Sequence, residues 1–263
     1  MTSTRPDGGS LTVVGTGIDI GGHLTPQARA AFSGADNAFY LVGDPVGARV
    51  LAGLHPHATS LDTLYADGKP RLETYEEMAE AILTPVREGR AVCAAFYGHP
   101  GVYVYPASVA IARCREEGFA ARMFPAVSSI DCLFADLGID PAARGCQIHH
   151  ATDFLVARTE PDATALLILL QIGALGQPLH SEQADWSRLP LLVDRLEAFY
   201  PRDHEVIAYE ASPFPVAGPV VIRAPLGELA AQSLRTGMTL VVPPAAQPEA
   251  DPEMLSRLGL PPR

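Results

Sequence analysis

Short apolar runs that each stop at a Gly or Pro turn constrain this chain more than any other feature. Leu11-Thr-Val-Val14 runs into Gly15-Thr-Gly17, and Ala91–Phe96 runs into Tyr97-Gly-His-Pro-Gly101. Runs of this length without strict polar alternation read as strands buried on both faces, the pattern of a parallel sheet covered by helices. Residues 38–42, 165–171, 206–210 and 239–242 repeat it. Between them lie helical segments. Thr25 and Pro26 supply an N-cap and first-turn proline for a helix to about Phe32. Leu72, Tyr75, Met78, Ile82 and Val86 recur at three and four residues, so 71–88 reads as an amphipathic helix that Pro85 should kink or shorten. Segments 108–117, 128–137 and 189–199 read as further helices, the first two stopped by Gly118 and Gly138.

Alternating strands and helices argue an α/β architecture in both halves. The expected organisation is a flexible, Gly-rich arm over residues 1–10, an α/β domain over 11–122, a second α/β domain over 123–245, and a Pro/Ala-rich tail over 246–263. With 48% hydrophobic residues the chain can fill two such cores. The formal charge of -11 disfavours nucleic acid as a partner. No apolar run is long enough to span a bilayer, and the opening residues lack a signal peptide's apolar core. Four cysteines, none in a C-x-x-C pair, suit a reducing cytoplasm.

Taken singly, the candidate motifs are modest. Gly15-Thr-Gly17 lacks the third glycine and immediate helix of a dinucleotide fingerprint, so a tight turn explains it equally well. Tyr97–Gly101 lies at the carboxyl end of a strand, where open α/β sheets bind ligands, and its glycines allow close backbone approach. Arg71 and Tyr75, four residues apart, share a helix face. By spacing alone they read as a core-facing tyrosine with an arginine at its rim, and Tyr65 and Tyr97 as ordinary half-buried tyrosines. His55-Pro-His57 and His149-His150 lack the converging ligands of a zinc site, so no metal is expected. Ser128-Ser129 has no nucleophile elbow around it and reads as a helix cap.

Together these residues resemble the tetrapyrrole (precorrin-type) methylases. Val14-Gly-Thr-Gly17 with Leu24-Thr25-Pro26 looks like that family's opening motif. Tyr97–Gly101 matches its central loop, and Phe124-Pro-Ala-Val-Ser-Ser129 its P-G-[IV]-S-[SA] segment, with Ala126 in place of glycine. Several runs are similar, more specifically, to the borosin α-N-methyltransferases of backbone-methylated peptide pathways. They are Thr74-Tyr75-Glu-x-Met78, Phe96–Val102, Cys132-Leu-Phe-Ala-Asp-Leu-Gly-Ile-Asp-Pro141, Ala151-Thr-Asp-Phe154, and Asp203-His-Glu-Val206 with Tyr209-Glu-Ala211.

The resemblance implies two α/β domains with S-adenosylmethionine in the cleft between them, leaving S-adenosylhomocysteine as product. Carried over by position, it assigns the cofactor to Tyr97, His99, Val102, Ser129, Gln171, Ala211, Met238 and Thr239. It assigns catalysis to Arg71, Tyr75 and Tyr97, with Tyr65 as a supporting hydroxyl. It also implies a homodimer acting on a precursor peptide with a leader and a core. In fungal members that peptide is fused behind the enzyme. The residues after Val242 hold no apolar core-peptide cassette, so a separate precursor is expected here. A small-molecule methylase acting on a tetrapyrrole ring, or a catalytically silent peptide-binding subunit, are the competing readings.

A peptide nitrogen is a poor nucleophile because its lone pair is delocalised into the carbonyl. An arginine beside a tyrosine favours the phenolate and so makes a general base. Neighbouring hydroxyls can stabilise charge on the amide oxygen. The sequence leaves open which tyrosine is the base.

Overall fold

The computed structural model describes residues 8–181 and 183–261. Of the expected amino-terminal arm, residues 1–7 lie outside the described residues, and Ser10 already opens the first strand. The chain divides into two compact units. Unit 1 holds Met1–Ile139, Gln177–Gln183 and Glu210–Val220, and unit 2 holds Asp140–Gly176, Ala184–Tyr209 and Val221–Arg263.

Unit 1 is built on five parallel strands: β1 (Ser10–Gly15), β2 (Asn37–Leu41), β3 (Ala58–Ser60), β4 (Ala91–Phe96) and β5 (Ala120–Phe124), in the order β3-β2-β4-β1-β5. Its helices are α1 (Ile20–His23), α2 (Pro26–Ser33), α3 (Pro45–Leu54), α4 (Arg71–Arg87), α5 (Tyr105–Glu116) and α6 (Ser129–Leu137). Residues alternate along each central strand, so each strand feeds two cores. Leu11, Val13, Phe39, Val92, Ala94 and Phe96 pack with Met78, Ile82 and Val86 of α4 and Ala107, Ala110 and Ile111 of α5. Val14, Ala38, Cys93 and Ala95 pack on the other face with Ala28 and Phe32 of α2 and Leu51 of α3. Burial on both faces is why β1 and β4 carry almost unbroken apolar sequence.

The caps explain where the helices start. Thr25 accepts from the Ala28 N–H ahead of Pro26. Ser128 and Asp131 form a reciprocal capping box before α6, and Gly138 closes it in the left-handed conformation. The expected stripe on α4 holds from Tyr75 onward. Leu72 departs from it: it is 57% exposed, and Thr74 is buried in the first turn instead. Pro85 stands in the last turn, and the helix ends at Arg87. Between α4 and α5 the exposed surface is laced by ion pairs, Arg113 to Glu76 (2.5 Å) and Glu80 (3.2 Å), and Arg87 to Glu80 (2.7 Å) and Glu117 (2.6 Å).

Unit 2 has a mixed sheet, β6 (Cys146–His150), β7 (Leu166–Leu170), β8 (Glu205–Glu210), β9 (Val220–Pro225) and β10 (Thr239–Val242), in the order β6-β7-β10-β8-β9. β6 and β7 are parallel, while β10 runs antiparallel to both β7 and β8. Helices α7 (Ala151–Val156) and α8 (Leu189–Glu197) accompany it, and α9 (Pro252–Arg257) lies in the carboxyl-terminal segment. The sequence boundary near Met123 falls inside β5, and unit 1 continues through α6. Among the described residues no helix is long and apolar enough to cross a membrane.

Candidate active site

Two parts of unit 1 carry the chemistry read from its sequence. The first is where the loops after β1 and β4 meet. Gly17 and Gly98 both take positive φ (72° and 68°) and exchange backbone hydrogen bonds, Gly98 N–H to Gly17 O at 3.0 Å and Gly17 N–H to Gly98 O at 3.3 Å. Only glycine takes such φ values without cost. At Gly15 the constraint is space: a Cβ would stand 2.2 Å from Gly98 O, 2.5 Å from Ala126 Cβ and 2.7 Å from Pro100 Cδ. The three segments resembling methylase motifs therefore converge in close contact around Gly15. The Gly15–Gly17 turn is the partner of the central loop.

Within that loop His99 Nδ1 accepts from the Gly101 N–H (2.9 Å), and the Val102 N–H bonds back to His99 O (3.0 Å). Tyr97 is anchored by its N–H to Leu41 O (3.0 Å). Although 39% of its surface is exposed, burial of the phenol, then Cys132, Asp44 and Glu210 around it, push its pKa up to about 12. Ser129 is the first residue of α6 behind its capping box, and Ala211, buried, follows Glu210.

The second part is an aromatic cluster at the start of α4. Arg71 and Tyr75 lie on this helix. The Tyr65 ring meets Tyr75 edge-on (6.4 Å, 85°), and Tyr75 lies 6.0 Å from Tyr105. Burial, then the Tyr75 phenol facing it, hold the Tyr65 pKa well above the usual tyrosine range, against a smaller downward pull from the Arg71 cation. The Arg71 Nε donates to Leu179 O (3.2 Å), and its backbone N–H to Pro178 O (2.9 Å). His180 stacks on Tyr65 at 4.5 Å and 27°. The structure thus brings Arg71, Tyr65 and Tyr75 together. It adds His180 and Asp44, which sequence reasoning did not single out, and it sets Cys132 and Glu210, named there only within family-like runs, around the Tyr97 phenol. His180 arrives by tertiary packing and carries no local motif.

Three predicted residues lie in unit 2. Gln171, exposed at the end of β7, has a left-handed backbone (φ 62°). Met238 and Thr239 are buried at the start of β10. The loop after β7 and the turn before β10 touch closely: a Cβ on Gly173 would stand 2.5 Å from Thr236 O. His55 is structural, its Nδ1 accepting from the His57 N–H (3.2 Å) while Nε2 faces Ala35 O (3.1 Å). With Nδ1 an acceptor, Nε2 carries the proton in the neutral ring.

These features define a two-sheet α/β protein whose constrained loops cluster at the carboxyl ends of β1 and β4. The family described as Tetrapyrrole (Corrin/Porphyrin) Methylases matches residues 10–230, and the chain belongs to it. The chain is 40% identical over 262 residues to a protein of Dendrothele bispora named methyltransferase/ribosomally synthesized cyclic peptide dendrothelin A precursor, covering 98% of this chain and 62% of that one. It is 38% identical over 267 residues to the type I borosin cyclic peptide precursor methyltransferase of Serendipita vermifera subsp. bescii, covering 99% of this chain and 65% of that one. The chain thus spans a little under two thirds of these relatives. Among solved structures, uroporphyrin-III C-methyltransferase from Thermus thermophilus, complexed with S-adenyl homocysteine, shares the fold. Its TM-score is 0.58 at 19% identity, over 89% of this chain and 92% of that one.

Proposed function

We propose that this chain transfers the methyl group of S-adenosylmethionine to backbone amide nitrogens of a ribosomally made precursor peptide. The observation that carries the reading is the gathering of Arg71, Tyr65 and Tyr75 at one place, in a chain 40% identical to a methyltransferase named for its cyclic-peptide precursor.

S-adenosylmethionine, when bound, supplies a methyl group on a positively charged sulfonium. Asp44 and Glu210 beside the Tyr97 phenol give that neighbourhood a negative potential suited to such a cation. The S-adenyl homocysteine bound by the Thermus enzyme supports the same cofactor. His99, Val102, Ser129 and Ala211 are assigned to it with Tyr97.

The tyrosines divide the remaining work. Tyr65 and Tyr97 stay protonated, because burial and their neighbours disfavour the phenolate. Each is therefore a hydrogen-bond donor, suited to an amide oxygen that gains charge as the nitrogen lone pair is released. Tyr75, acting as the phenolate with the Arg71 cation on its helix face, takes the amide proton onto its oxygen and ends as the neutral phenol. An amide proton is far less acidic than a phenol, so it leaves as the nitrogen–carbon bond forms.

That the precursor is a separate chain belongs to this proposal. The homodimer implied by the family resemblance and the cytoplasmic location expected from the cysteine usage belong to the same proposal. The test is incubation of the protein with S-adenosylmethionine and a precursor carrying an apolar core, read by tandem mass spectrometry. Single-methyl increments on backbone fragments are expected. Methylation of a porphyrin-type ring with none on peptide would overturn the reading.

A further inference from the structure

Residues 177–181 stand more than one hundred positions from Arg71, the first residue of α4, yet they lie along its amino-terminal approach. The His180 N–H donates to Lys69 O (2.8 Å), and His180 O accepts from the Gly68 N–H (3.1 Å). Pro70 and Leu179 pair as an antiparallel bridge, and the Arg71 N–H reaches Pro178 O. This strap touches two members of the cluster. Leu179 O receives the Arg71 Nε, and the His180 ring lies flat on Tyr65.

The His180 Nδ1 is buried and has no hydrogen-bond partner among the described residues. A hydrogen bond from that nitrogen therefore does not place the imidazole. Its backbone pairing and the stack place it. A ring held in this way fixes the tilt of Tyr65 and covers one of its faces from water. Tyr65 in turn sets its edge against Tyr75.

We propose that the 178–180 strap positions the catalytic cluster, with His180 as a positioning residue that orients Tyr65 through ring stacking rather than hydrogen bonding. The inference rests on the proposed role of Tyr65, but its first test does not need turnover. Burial is the largest cause of Tyr65's resistance to ionisation. Removing the covering ring admits water, and Tyr65 should then ionise at lower pH than in the parent, while the Tyr75 phenol still holds it above the ordinary value.

The measurement is phenolate absorbance at about pH 11, on protein whose circular dichroism shows it folded. The chain has 8 tyrosines, so Tyr65 is isolated by subtracting the matching Tyr65→Phe protein. His180→Ala should gain a resolvable phenolate absorbance over His180→Ala/Tyr65→Phe. Parent and His180→Phe should show no such difference from their Tyr65→Phe counterparts. In turnover, His180→Ala should lower kcat by about ten- to a hundredfold with peptide KM unchanged, and His180→Phe should restore most of it. His180→Gln, polar but not aromatic, should behave as His180→Ala does. Unchanged Tyr65 ionisation in His180→Ala overturns the inference, as does rescue by Gln but not by Phe. A parent protein that methylates no peptide defeats the functional proposal instead and leaves the ionisation result to decide this one.

Discussion

The loop at Gly98 and the cluster at Tyr65 are held by opposite means. Around Gly98 the chain is fixed by backbone: two left-handed glycines bond each other, and Gly15 leaves no room for a methyl group. Around Tyr65 the chemistry rests on side chains, three aromatic rings and an arginine, gathered by a strap from far along the sequence whose backbone pairs with residues 68–71. The difference separates shape from chemistry. The loop fails by not fitting, whereas the cluster can lose its reactivity while the fold survives.

The largest effect on stability should come from Gly15→Ala. Its Cβ would press on a carbonyl oxygen and a proline ring that cannot swing aside, at a cost on the order of 3 kcal/mol. A denaturant melt checks this, and a variant as stable as the parent would remove the claim that this loop is built on close approach.

Alkaline pH should act next. The raised pKa of Tyr97 stabilises the folded protein fully below the ordinary tyrosine value of about 10, and that contribution is lost as pH climbs to about 12. Across this window the parent should lose stability more steeply than Tyr97→Phe. Equal slopes in chemical denaturation at stepped pH would mean the phenol is not shielded in the folded state.

The smallest effect belongs to Tyr105→Phe. Its hydroxyl donates to Glu76 (2.9 Å) on an exposed surface, and such contacts are worth little. The melting temperature should stay within measurement error, while the ring stays beside Tyr75. A clear loss of methylation would extend the reactive cluster to Tyr105.

The sequence disclosed these parts unevenly, and for a physical reason. The six strands read from apolar runs, β1, β2, β4, β7, β8 and β10, are the central members of the two sheets. The four that escaped notice, β3, β5, β6 and β9, are the edges. An edge strand has fewer buried positions, and sequences such as Ala-Thr-Ser at 58–60 or Cys-Gln-Ile-His-His at 146–150 show no apolar run. Met123 belongs to one of them, which is why a domain boundary could be read there. The site divides in the same way. Gly15, Gly17 and Gly98 announce themselves as turns, and Arg71 and Tyr75 share a helix face by spacing. His180 and Leu179 have no local signature, since their role depends on a pairing with Lys69 and Arg71 that spans 108 residues at the Arg71–Leu179 contact.

The central claim is that the Tyr75 phenolate on α4 takes the amide proton, becoming the phenol, while its neighbour Tyr65 remains protonated throughout. Single-turnover methyl transfer, with cofactor and peptide binding measured separately by calorimetry, tests it most directly. Tyr75→Phe should bind both partners as the parent does and transfer methyl about a hundredfold or more slowly. A Tyr75→Phe protein that binds both and transfers at the parent's rate would contradict the account.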